Sequence, residues 1–117
     1  MLIFMAAALQ VSVFGITDDT EGCTDKEGTI ALSSCYSERA EIYDKRMRAA
    51  YPVALHFAHG DQRKALVRSQ QAWLKYRDAE CEFYNLEQGT IHFIQSAYCM
   101  LDLTRRRALE LEQYPLP

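Results

Sequence analysis

Four cysteines and three histidines are the residues of this chain best suited to chemistry, and their spacing decides how they are used. Cys23, Cys35, Cys81 and Cys99 stand 12, 46 and 18 residues apart, so no C-x2-C pair is present. Structural zinc sites draw on short ligand pairs, and the only close histidine pair is His56 and His59. An even number of cysteines in a short chain instead predicts two disulfides in an oxidising compartment. No metal and no other cofactor is expected.

Catalytic patterns are missing as well. Nothing in the chain has the form of a nucleophile elbow, a phosphate loop or a helical H-E-x-x-H pair. A glycosidase would need two carboxylates facing each other across a sugar cleft, and a chain of this length has little room for one. The expectation is a protein that is not an enzyme. Arg77 and Arg107 nevertheless draw notice, because both fall on otherwise apolar helical stripes. A charged side chain seldom sits inside unless paired. One reading is a structural pair of Asp44 or Asp78 with one of these arginines, fixing helix register; the other is an anion site. Arg105, Arg106 and Arg107 spread around a helix and so do not form a basic patch.

The elements that must position these residues follow from composition and periodicity. A chain of 117 residues, 49% hydrophobic and 25% charged, is one globular domain. Its formal charge of −3 argues against nucleic acid, which needs a clustered positive field. A mildly acidic surface suits a basic protein partner instead. Residues 1–15 carry no charge and form an apolar run shorter than the roughly 20 residues of a membrane-spanning helix. The run ends in small residues before Thr17-Asp18-Asp19, which is the profile of a signal peptide, although no Lys or Arg precedes it. A buried N-terminal helix is the other reading. The expected product is periplasmic or secreted, with no stable membrane insertion after cleavage.

Residues 16–28 are polar and irregular, 29–113 read as a helical domain, and 114–117 form a tail closed by prolines. Thr29 is placed to cap a helix whose apolar positions include Leu32, Ile42, Tyr43, Met47, Ala50 and Ala54 at three- and four-residue steps. Pro52 either kinks this helix or opens a short separate one, because it removes a backbone donor. His59-Gly60 marks a turn, and Asp61 is a good cap for a second helix running to Asn85. That helix carries Leu66, Gln70, Trp73, Arg77, Cys81 and Tyr84 on one stripe. Thr90 is placed to cap a third, Ile91 to about Gln113, with Ile94, Tyr98, Leu101, Ala108 and Leu109 on one face. The fold class is all-α: a small antiparallel bundle of three helices, or four if the first splits at Pro52. Short connections bring Cys35, Cys81 and Cys99 to one end. Cys35 and Cys81 lie at the most similar heights, which favours Cys35–Cys81 with Cys23–Cys99.

These residues resemble the LprI-type lysozyme-inhibitor family of exported bacterial proteins. Gln70, Trp73, Tyr76, Arg77, Asp78 and Cys81 match the core Q-x-x-W-x-x-Y/F-R-D-x-x-C. Cys23 and Cys35 precede a helix with Asp44, Met47 and Tyr51, and Cys99, Leu103, Thr104 and Arg107 match a C-x-x-x-L-T-x-x-R ending. Arg48, where the family tends to have asparagine, and Pro52 depart from the pattern. The resemblance covers about residues 20 to 112. It implies a small helical domain with its four cysteines in disulfides, export and, for some members, inhibition of lysozyme.

Animal lysozymes are strongly basic, so an acidic inhibitor is steered toward them. Two turns are candidates to cover the cleft: the first holds His56, His59, Gly60 and Asp61, the second runs from Asn85 to Thr90. The first is favoured, because histidine can donate to a carboxylate pair. Other classes fit the same composition: a periplasmic binding or immunity protein for another secreted toxin, or a structural envelope-stress protein.

Overall fold

The computed structural model describes residues 21–114. The expected signal segment at 1–15, residues 16–20 of the irregular segment and residues 115–117 of the tail lie outside the described residues. Three helices follow in order: α1, Thr29–Phe57; α2, Gly60–Asn85; α3, Ile91–Gln113. Among the described residues there is no strand.

α1 does not split at Pro52; the helix is unbroken from Thr29 to Phe57. Proline deprives the carbonyl four residues earlier, that of Arg48, of its donor. Both Pro52 and Arg48 lie on the exposed side of the helix. Packing of Met47, Ala50 and Ala54 on either side of the proline holds the helix together. No side-chain cap bond forms at any of the three helix starts; Thr90 does hold the cap position of α3 as expected, and the other two caps shift. Gly28 enters α1 with φ 87, a left-handed geometry that leaves Thr29 already helical. His59 holds the cap position of α2, and Asp61 falls in its first turn. There its charge still complements the helix dipole.

The first and third helices run side by side in the same direction. Tyr36 meets Tyr98 edge-on with ring centroids 5.2 Å apart, and further along Arg46 reaches Glu112 at 2.6 Å. Met47, Ala50, Ala54 and Ala58 of α1 and its C-terminal junction pack with Leu66, Ala108 and Leu111. Alanines at four-residue steps put only methyl groups in the interface, so α3 comes in close. Trp73, Leu74, Tyr51 and Leu55 close the sides of this core. Leu101 and Leu111 are fully buried, each removal from water being worth about 1.5–3 kcal/mol. Because α1 has one neighbour along most of its length, its buried stripe is narrow. Ile42 therefore faces outward, as does Leu109 of α3, against the sequence expectation.

α2 joins α1 at the Ala58–His59 connection and then leaves it, making few contacts with α1 beyond the junction. This splay corrects the expected cysteine pairing. The disulfides are Cys23–Cys35 and Cys81–Cys99. Equal height along a bundle does not bring Cys35 and Cys81 together when their helices diverge sideways. Cys81 instead meets Cys99 across the short α2–α3 turn, and Cys23 folds back onto the start of α1.

Candidate functional site

The family-like motif residues of α2 converge on the inner face of the fold. Arg77, 12% exposed in its side chain, sends Nη1 to Asp44 Oδ1 of α1 at 3.5 Å. The same nitrogen donates to Thr104 Oγ1 of α3 at 3.3 Å, and Nε donates to Asp78 at 3.2 Å. Its guanidinium carbon lies 5.2 Å from the centre of the Trp73 ring, one helical turn earlier. One planar fork thus touches all three helices, which a compact ammonium would not do. Tyr76 points away from this network and is half exposed.

The expected aspartate pairing is thus made by Arg77, and Arg107 makes a second, separate network. Its Nε donates to the buried Gln70 Oε1 at 2.9 Å, and Nη2 donates to Ser69 Oγ at 2.9 Å. Glu110, one turn along α3, accepts from Nη1 at 2.6 Å. A neutral amide completes the buried part, so the only carboxylate desolvated with Arg107 is one whose side chain stays largely in water. These two arginines order the frame, and neither presents a free guanidinium to an anion.

Glu21 forms a third hub that sequence reasoning missed. Its carboxylate accepts from Tyr43 at 2.9 Å and Arg105 at 3.2 Å, and its backbone carbonyl accepts from Arg39 at 2.8 Å. Burial, the hydrogen bond to Glu21 and the Glu21 charge together push the Tyr43 hydroxyl above its ordinary value. Burial works against the Arg105 charge, but Glu21 and Asp102 overcome it and raise the guanidinium. Glu112 is held below the usual carboxylate range by its hydrogen bond from Arg46. A glutamate in a polar segment carries no periodic signal. Its neighbour Cys23 is the sole hint that the segment is tethered.

The structure places His56, His59, Gly60 and Asp61 together at the α1–α2 tip, all exposed. Gly60 has φ 57, which only glycine adopts without strain. Arg63 of α2 donates to the Leu55 carbonyl of α1 and ties the tip across its base. Beside it lies a recess of about 340 Å³ lined by Ala54, Phe57, Ala58, Leu66 and Tyr114 among others. The second candidate turn, Asn85 to Thr90, lies at the opposite end of α2, where His92 Nδ1 is 3.4 Å from Asn85 Oδ1.

Splaying α2 from α1 also opens a groove floored by α3. Two neighbouring lobes, about 360 and 590 Å³, share Ser37 and Met100 in their linings. Among the described residues no group of three or more histidines, cysteines or carboxylates is placed to hold a metal ion. No helix among them is long and apolar enough to cross a membrane.

Comparison with known proteins bears on the arrangement as a whole. An uncharacterized protein of Rhizobium meliloti (strain 1021) is 36% identical over 67 residues, 56% of this chain and 42% of the relative. The chain thus matches less than half the length of that curated relative. No solved structure matches. The model of the lysozyme inhibitor LprI family matches residues 21–111, a span that contains both disulfides, both arginine networks and the Glu21 hub. The chain belongs to the lysozyme inhibitor LprI family.

Proposed function

We propose that this protein is an exported inhibitor that binds lysozyme and covers its active cleft without catalysing a reaction itself. The observation that carries the reading is the family match along residues 21–111. Two disulfides support a periplasmic or secreted setting, because such bonds persist where thiols are not kept reduced. The net charge of −3 favours encounter with a basic enzyme.

We assign the α1–α2 tip to the cleft. It is exposed, pinned at its base by Arg63, and set by the left-handed Gly60. A rigid tip loses little entropy on docking. His56 and His59 present ring nitrogens that can donate to a pair of catalytic carboxylates, and the exposed Phe57 supplies apolar contact at its edge.

Lysis of cell-wall substrate tests the reading. Oxidised protein at micromolar concentration should slow a basic lysozyme, and no effect on several lysozyme types would sink the proposal. Replacing His59 and Asp61 by alanine should weaken inhibition at least several-fold. Unchanged potency would move the inhibitory surface away from the tip.

A further inference from the structure

We infer that the groove between α1 and α2 receives a basic, extended segment of the lysozyme partner, a loop bearing lysine or arginine side chains. This inference rests on the lysozyme reading and adds to it a second surface, on a different part of the molecule from the tip.

Shape is the first argument. α1 and α2 diverge and leave a face of α3 without a neighbour, so Ala97 and Met100 floor an open channel instead of packing under a third helix. The facing part of α1 contributes Ser33, Ser37 and Ala40, which leave room for another chain. The Arg77–Asp44 contact bridges the channel at its inner end. An occupant therefore enters from the open end as a loop or chain end.

Charge selects the occupant. The lining carries Glu41, Asp44, Asp78 and Glu82 against Arg48 and Arg77, an excess of two carboxylates. Both arginines are already engaged, Arg48 by Asp44 at 2.7 Å and Arg77 by Asp44 and Asp78. Glu41 of α1 and Glu82 of α2 have no ion pair among the described residues. Incoming cations thus meet one such carboxylate in each lobe, Glu82 in the outer and Glu41 in the inner, without displacing an existing pair. Low-dielectric walls focus that field along the channel. Met100 on the floor suits the aliphatic stem of a lysine or arginine. Phe93, 51% exposed at the outer end, offers a ring face to its charge.

Two probes test this: a basic lysozyme and a labelled decalysine peptide, each titrated by calorimetry or anisotropy at 150 mM salt. Glu41→Lys with Glu82→Lys reverses the groove charge, and Ser37→Trp fills the channel without changing charge. Asp25→Lys with Glu27→Lys makes the same net charge change away from the groove. All three proteins should melt like the wild type. The groove variants should weaken both probes by about tenfold or more, and the control by less than about threefold, since long-range attraction is screened. Groove variants that bind like the wild type, or a control that weakens as much as they do, would overturn the inference. Groove-dependent binding of decalysine without binding of lysozyme would remove the lysozyme reading and keep the groove as a site for basic segments. Binding of neither probe would remove both.

Discussion

Arg77 of α2 reaches Asp44 of α1 across the inner end of the splay, with Nη1 3.5 Å from Oδ1. The same nitrogen is 3.3 Å from Thr104 of α3. This pair sets how far α2 swings from α1, because little else joins the two helices away from their junction.

Replacing Arg77 by alanine should therefore cost about 2–3 kcal/mol, below the upper range for a buried pair because Asp44 keeps some contact with water. Lysine should recover less than half of that, lacking the second arm of the fork. Urea unfolding of the three proteins measures the order. Equal stability of the lysine variant and the wild type would show that only charge matters here.

Arg107→Ala should also destabilise by about 3 kcal/mol, by leaving Gln70 Oε1 buried without a donor. Gln70 itself is 6% exposed. If the two act as one unit, Gln70→Leu added to Arg107→Ala should cost less than the sum of the singles, by about 1–2 kcal/mol. Strict additivity in the cycle would mean that the 2.9 Å contact contributes nothing.

Non-reducing proteolysis with mass spectrometry should recover cross-linked peptides joining Cys23 to Cys35 and Cys81 to Cys99. Loops of 12 and 18 residues imply about 3 kcal/mol of stabilisation from each bridge, in the chain-entropy account. Cys81→Ser with Cys99→Ser should lower the urea midpoint accordingly. It should also loosen the outer part of the groove, since Cys81 is one of its lining residues.

Alkaline pH should release the N-terminal segment. The Tyr43 hydroxyl lies above its ordinary value of 10.0 because burial disfavours the phenolate, and Glu21 both accepts a hydrogen bond from the hydroxyl and repels its anion. A raised folded value means a contribution fully present below pH 10 and lost as pH rises through the folded value. Protection of the amides around Cys23, relative to the base-catalysed rate of an open chain at the same pH, should fall above about pH 10 in the wild type. Tyr43→Phe should lose the hydroxyl contribution at every pH and show no such step. A step of the same size in Tyr43→Phe would assign the transition to another group.

Much of the fold was legible because helices announce themselves locally. The three- and four-residue recurrence of Met47, Ala50 and Ala54, and of Leu66, Gln70 and Trp73, marks two inner stripes before any partner is known. Gly60 and Gly89, both with positive φ, mark the turns between helices for a local steric reason. Ile42 and Leu109 were misread because periodicity gives the direction of a face, not how many neighbours cover it. Pro52 was ambiguous because its cost depends on what packs around it.

The sequence by itself determined an all-α fold of three helices, or four if the first split at Pro52, the use of all four cysteines in bridges, and the family-like motif on α2. Tertiary structure alone decided which cysteines join, which acid each arginine meets, and that Glu21 closes the N-terminal segment onto Tyr43 and Arg105. It also decided that α1 and α2 diverge to open a groove over α3. The reason is physical: helix formation depends on neighbours three and four positions away, which the sequence lists in order. The sideways placement of helices depends on the sizes of side chains packed between them, here alanines that draw α1 onto α3 and leave α2 swung aside.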